Sequence, residues 1–451
     1  MKGYKHIVNG ILVCGSIVAS VSVASETEFT RLGSIKAGNS DGSIPAYNGG
    51  MTTAPPDFKA NSGFWENPFK DEKPLYRITD KNITEHAEKL SQGQLHLLRT
   101  VPDYYIDIYP THRTASFPEE ILQATERNNG SCKTVENFLA IDVGCRGGLP
   151  FPRPENGYEV MWNQLLTYPG KTAITARSNR SWLVIRTGIA TNMADQETYT
   201  EKPYYQVDLS DRDPELLLRT YSISKAPVRR AGEATGIVDY INPVADPREA
   251  WQYVPGLRRI KKAPEFSYDT PVSSLGGGLL FDELFLFSGK MDRFDFKFVG
   301  TKEMYIPYNN YDLYSPTSKC NTDTQFLNAT INPSCERFEL HRVRIIEATR
   351  KGDARHVYSR RMYYLDEDLS GAGMSDAFDN SGELHRSTFN TMIQLYDNNI
   401  PWAVRSHTYD FSKGSLTVLG DAYKDGWFVE NAAYKNIKMS PDTITSRSSS
   451  R

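Results

Sequence analysis

Near residue 170 the hydrophobic period of this chain changes from helical to two, which narrows the folds open to it. Beyond it, apolar residues alternate with polar ones in short runs as far as about residue 420. Runs of this kind cover 172–176, 182–190, 204–209, 218–224, 231–241 and 251–260, the last interrupted by Pro255-Gly256. Phe294, Phe296 and Phe298 alternate with Asp295 and Lys297, the pattern of a half-buried strand. A hairpin follows, with 340–350 and 355–366 about a Lys351-Gly352-Asp353 turn. Segments 387–396, 403–411 and 415–419 continue the series. Roughly ten or more consecutive strands with short connections predict a large antiparallel meander, and so wide a sheet curls or closes. The expected class is α+β, dominated by strands.

Upstream of the change the text is different. Lys2 and Lys5 precede an apolar stretch over 7–23, and Ser22-Val23-Ala24-Ser25 closes it. That order predicts a secretory signal peptide over 1–24, cleaved near Ala24. Asn9, Gly10, Gly15 and Ser16 dilute the stretch too much for a spanning helix. Cys14 lies inside it and follows Val13 rather than a small residue, which argues against a lipid anchor. Residues 25–73, rich in Gly, Pro and Asn, are expected to form an extended wrap. A single domain is expected over 74–439, helical over about 78–168 and sheet over about 170–420, with a disordered tail at 440–451. Within the helical part, Asp80 can cap a helix carrying Ile83, Ala87 and Leu90, which Gly93 interrupts before Leu95, Leu97 and Leu98. Pro118-Glu119-Glu120 reads as a first turn, and Asn156 with Glu159 as a cap ahead of Tyr158, Met161, Trp162 and Leu165 on one face.

Of five cysteines, four lie beyond the leader. In an exported chain an even number predicts disulfides, and four cysteines allow three connectivities. Sequence neighbours give the simplest, Cys132–Cys145 and Cys320–Cys335. Without a Cys-x-x-Cys pair, zinc is not the expected partner. A net charge of −3 with no basic run argues against nucleic acid.

Motifs for catalysis, metal or cofactor binding are missing from the sequence. No His-Glu-x-x-His, Gly-x-Ser-x-Gly or phosphate loop occurs, and Gly276-Gly277-Gly278 reads as a turn. Asp366 to Gly371 spaces oxygens like a calcium loop, but its twelfth position is Ala377 where a bidentate Glu is needed. His341, His356 and His407 fall on expected strands and are read as ordinary sheet residues. The 26 tyrosines, beside 20 Phe and 6 Trp, suit a cavity with an apolar wall and wet rim, although a solidly packed sandwich has the same composition. Within 246–260, Trp251 and Tyr253 precede a turn and the pair Arg258-Arg259. We expect Trp162, Trp251 and Tyr253 as wall or lid of a ligand site, with Arg258 and Arg259 at its rim; an edge strand with arginines in solvent is the alternative.

Several stretches together resemble one exported family. They are Ala37-Gly38-Asn39-Ser40-Asp41-Gly42-Ser43-Ile44-Pro45-Ala46-Tyr47, Tyr109-Pro110-Thr111-His112-Arg113-Thr114-Ala115, 156–166, 251–259, Lys302-Glu303-Met304-Tyr305-Ile306-Pro307-Tyr308-Asn309, and the 341–368 hairpin with Gly382-Glu383-Leu384. The family is catalogued as domain of unknown function 1329 and labelled outer-membrane lipoprotein-sorting-like. The resemblance covers nearly all of the chain beyond the leader. It implies a Gram-negative periplasmic protein, with a peripheral place at the outer membrane, and a LolA/LolB-like half-barrel: a strongly curved antiparallel sheet holding helices on an apolar concave face. It also implies company with a resistance-nodulation-division-type exporter and an outer-membrane protein, and transfers no catalytic residue. The reading is a non-enzymatic carrier or chaperone for a lipid or other hydrophobic molecule. A structural partner of an envelope complex and a hydrolase using strand histidines are the competing readings.

Overall fold

A computed structural model describes residue 1 and residues 28–206, 215–264, 266–316, 318–422 and 424–429. The expected leader beyond residue 1 and the expected tail at 440–451 lie outside the described residues. Sixteen strands form one sheet. In chain order they are β1 (Tyr76–Ile78), β2 (Ile106–Ile108), β3 (Ile174–Val184), β4 (Ala190–Glu201), β5 (Leu216–Ala226), β6 (Ala234–Tyr240), β7 (Glu249–Val254) and β8 (Arg259–Lys262). The series continues with β9 (Phe294–Pro307), β10 (Phe338–Arg350), β11 (Arg360–Asp366), β12 (Gly373–Phe378), β13 (Leu384–Leu395), β14 (Ile400–Asp410), β15 (Ser415–Asp421) and β16 (Trp427–Val429).

The spatial order is β9-β10-β11-β12-β13-β14-β15-β3-β4-β5-β6-β7-β8. The last strands of the chain thus pair with the first long one, through Leu416↔Val184, and join two meanders into one. Among the described residues β9 and β8 do not pair with each other, so this large curved sheet stays open. Right-handed strand twist summed over so many strands accounts for the curvature. Bulges at Phe298/Gly300, Thr391/Ile393 and Ser181/Trp182 add local bends.

Four α-helices decorate the sheet: α1 (Ile83–His86), α2 (Gln92–Thr100), α3 (Glu119–Asn128) and α4 (Gly157–Leu165). Asn156 caps α4 as expected, and Pro118 sits one position ahead of the first turn of α3 rather than within it. Gly93 does not interrupt a helix. It sits in the first turn of α2, where Ser91 and Gln94 form a reciprocal capping box. Helix α2 docks on β12 and β13, the Gln92 and Gly93 amides donating to Asp376 at 2.9 and 3.1 Å. Helix α4 lies over β9, where Tyr158 Oη donates to the Phe294 carbonyl at 3.1 Å. β12 is buried throughout and β13 nearly so, because elements cover both of their faces.

The N-terminal segment from residue 28 crosses the sheet in irregular conformation. Buried Arg113 donates to the carbonyls of Ile35, Lys36 and Pro45 and pairs with Asp368 at 2.8 Å. Both expected cysteine pairs are bonded, with Cα separations of 5.0 Å for Cys132–Cys145 and 5.6 Å for Cys320–Cys335. No helix of the described residues is long and apolar enough to cross a membrane.

Three expectations about elements need correction. Strand β4 carries Ala-Thr-Asn-Met-Ala-Asp-Gln-Glu-Thr-Tyr-Thr-Glu, too polar to show apolar alternation, yet it pairs along both edges. Strand β12 follows the Asp366 turn directly, in text outside the expected strands. The first part of the expected 204–209 strand is a single 3-10 turn, Pro203–Tyr205.

Candidate functional site

A cavity of about 260 Å3 opens between the sheet and the long connection that follows β8. Its floor comes from strand alternation. Gln196, Thr198 and Thr200 of β4, Thr220, Ser222 and Ser224 of β5, and Thr235, Ile237 and Asp239 of β6 share one face, since side chains two apart point the same way. Neighbours on this face bond across the strands. Thr200 Oγ1 lies 3.0 Å from Thr220 Oγ1, and Gln196 Nε2 donates to Ser224 Oγ at 3.3 Å. The floor is therefore a sheet of hydroxyl and amide groups.

The opposite wall is apolar. Phe266, Val272, Leu275, Phe281, Leu284, Phe285 and Phe287 line it, and the Phe266 and Phe281 rings stack at 4.5 Å. Trp402 and Trp427 close one side. Two adjacent acids pin this wall to the sheet. Asp282 accepts from His356 at 2.8 Å and Arg361 at 2.9 Å, while Glu283 accepts from Arg386 at 2.9 Å and from the Tyr358 hydroxyl. Burial alone would raise the Asp282 carboxyl, but Arg361 and His356 hold it below its usual range. Buried pairs of this kind position an element more than they stabilise it. The Gly276-Gly277 turn of the wall has φ of 63° and 71°, left-handed values that glycine adopts without strain.

Charge enters the cavity at three places. Arg230 pairs with Glu233 at 2.9 Å. Asp239 is bidentate to Arg248, at 2.6 and 2.7 Å. Half-buried Lys202 is the third, and it differs from the others. Its Nζ donates to the carbonyls of Leu165 at 2.8 Å and Thr167 at 2.7 Å, at the negative end of α4. No carboxylate among the described residues lies within ion-pairing distance of it. Burial pushes its ammonium down to about 7. A lysine carries three donors, so one remains for a ligand.

The five side chains expected to form wall and rim lie outside this lining. Trp162 is buried and donates through Nε1 to the Phe138 carbonyl at 2.9 Å; Gln164 and Leu165 of the same helix reach the cavity. Two positions along a helix rotate a side chain by about 200°, which separates Trp162 from Gln164. Trp251 and Tyr253 face the other side of β7, packed with Tyr199, Tyr221, Ile223 and Ala234, while Gln252 between them lines the cavity. The Trp251 indole covers Gly236, its register partner. Arg258 and Arg259 stand exposed at a hairpin tip, Arg258 with a φ of 48°. The period-two stripe of one amide, Gln196, and the hydroxyls at 198, 200, 220, 222 and 224 is the sequence signal for the floor.

The strand histidines do not converge. His341 lies 3.2 Å from both Glu339 and Asp366, His356 meets Asp282, and His407 lies 3.3 Å from Glu336. Burial pushes Glu336 up to about 8 and His407 well below its ordinary value, so that pair meets as neutral groups. The Asp366 turn closes on itself, Asp366 Oδ1 accepting from the Asp368 and Leu369 amides at 3.1 and 2.8 Å. No group of three or more potential metal ligands occurs among the described residues.

Comparison with known proteins places the chain. A family model described as "Protein of unknown function (DUF1329)" matches residues 77–444. An uncharacterized protein of Pseudomonas aeruginosa is 35% identical over 415 residues, covering 90% of this chain and 89% of its own. Similar solved structures include a protein domain of the outer membrane lipoprotein-sorting type from Vibrio parahaemolyticus, at 12% identity and a TM-score of 0.42, covering 64% of this chain and 98% of that one. A DUF1329 family protein from Desulfovibrio piger has a TM-score of 0.39 at 12% identity, covering 63% and 96%. A LolA superfamily protein from Nitrosomonas europaea has a TM-score of 0.36 at 9% identity, covering 63% and 98%. By its match over most of its length, the chain belongs to the DUF1329 family.

Proposed function

We propose that this protein is a periplasmic carrier for an anionic amphiphile, a lipid-like molecule with an apolar body and an acidic group. One observation carries the reading: a cavity with a hydroxyl-lined floor, an aromatic and aliphatic wall, and a lysine that has no carboxylate partner among the described residues. The apolar body would lie against Phe281, Leu284 and Phe285, with its acidic group at Lys202. Burying roughly 200 Å2 of apolar ligand surface is worth about 5 kcal/mol, enough for retention and release without covalent chemistry. A charge-assisted hydrogen bond from Lys202 adds selectivity for the acid over its neutral counterpart.

Native mass spectrometry of the protein taken from the bacterial envelope, followed by extraction of what it retains, tests this reading. The expected result is a bound acidic amphiphile. The Lys202→Met variant should bind a fluorescent fatty acid about tenfold to a hundredfold more weakly, and the matching fatty alcohol as well as the native protein does. An empty protein that takes up neither probe would favour a purely structural role in the envelope.

A further inference from the structure

The hairpin β5–β6 turns through 227–233, and β7–β8 turns through 255–258. The registers Ile223↔Ala234 and Ala234↔Tyr253 bring both turns to the same end of the sheet, side by side. Each tip presents an aliphatic side chain to solvent: Val228 is 90% exposed, Leu257 69% and Ile260 38%. Segments 225–233 and 254–262 together hold seven basic residues, Lys225, Arg229, Arg230, Arg258, Arg259, Lys261 and Lys262, against one acid, Glu233. The whole chain carries a net charge of −3, so this end is sharply segregated. A third turn, at 185–189, projects beyond Asp195↔Ala226 in the same direction and adds Arg186 with exposed Ile185 and Ile189.

We infer that this end of the sheet docks on an anionic phospholipid surface. The aliphatic side chains stand on separate protruding tips, a shape that suits insertion among acyl chains better than contact with a flat protein face. The arginines and lysines around them match a leaflet of negative charge. Ser224, Arg230, Glu233 and Thr235 line the cavity at this same end, so docking sets the cavity beside the membrane. The inference rests on tip exposure and charge, and stands whether or not the cavity holds an amphiphile.

Co-sedimentation of the full-length protein with vesicles tests it. Binding is expected to phosphatidylcholine vesicles containing about a third phosphatidylglycerol, with weakening as salt rises, and not to phosphatidylcholine alone. The double substitution Arg258→Ser with Arg259→Ser should weaken binding roughly tenfold or more, from the usual contribution of basic side chains at such surfaces. Val228→Asp with Leu257→Asp should remove the part of the binding that survives high salt. All four side chains are exposed, so melting temperatures should stay at the wild-type value. The cavity-filling variant Ser222→Trp should dock normally; loss of docking there would assign the contact to a bound ligand and count against the inference. Equal binding to both vesicle types, no binding to either, or tip variants that bind as the wild type does would overturn it.

Discussion

At the scale of single residues, the molecule depends on buried charges that are individually satisfied. His341 shows the logic most clearly. Burial would push its imidazole down, but hydrogen bonds to Asp366 and Glu339 outweigh that and raise it to about 9. Glu339 moves the other way, to about 2, because His341, Arg337 and the His112 amide overcome its burial. We assign the paired charge to Glu339, since burial raises Asp366. The Tyr308 ring stacks on His341 at 3.9 Å and keeps water away. The folded imidazole binds its proton more tightly than an unfolded one at 6.5, so its stabilisation is complete below about pH 6.5 and is lost as pH rises through about 9. Glu339 contributes above about 4.5, and that contribution is lost as pH falls through about 2. Replacing His341 by Gln should cost about 3–5 kcal/mol near neutral pH, because Asp366 and Glu339 then lose the buried cation between them and only Arg337, on the far side of Glu339, remains. It should also flatten the alkaline limb of the stability profile. Urea unfolding across a pH series reads both effects.

At the scale of elements, α2 shows how close packing reverses a propensity. Glycine inside a helix ordinarily costs up to about 1 kcal/mol relative to alanine. At Gly93, however, an added Cβ would overlap Ser387 Oγ and approach Asp376, the groups on which the helix rests. We expect Gly93→Ala to destabilise the protein by about 2 kcal/mol or more instead of stabilising it. Urea midpoints for Gly93→Ala and for a surface helix substitution decide the sign. Legibility from sequence divides along the same line between local and tertiary causes. The Asn156 cap, the start of α3 at Pro118-Glu119-Glu120 and the 340–350 hairpin arm are readable because neighbours in sequence determine them, whereas the connection runs over 351–359, longer than the expected turn at 351–353. The polar strand β4 is not readable, because its pairing partners, β3 and β5, supply what its own composition lacks. Trp251 and Tyr253 belong to a segment that does touch the cavity, but through Gln252, one residue out of phase. Apolar text marks the buried face of a strand; it does not say whether a cavity or a packed cluster lies there.

At the scale of the whole molecule, one open sheet serves two ends. Its β9 side is filled by α4, the N-terminal segment and the buried ionic pairs, whereas its β3–β7 side keeps the hollow. An open sheet must protect its edges, and β8 does so with exposed Arg259, Lys261 and Lys262. The same basic end adjoins the cavity, which links storage of a ligand to the place where it would be loaded. An acidic amphiphile is expected to occupy the space above Ser222. Isothermal titration with a fatty acid, comparing the native protein with the Ser222→Trp variant, tests it most directly. Saturable binding is expected for the native protein and none for a variant that remains folded with its cavity filled; equal heats for both would refute occupancy of the cavity.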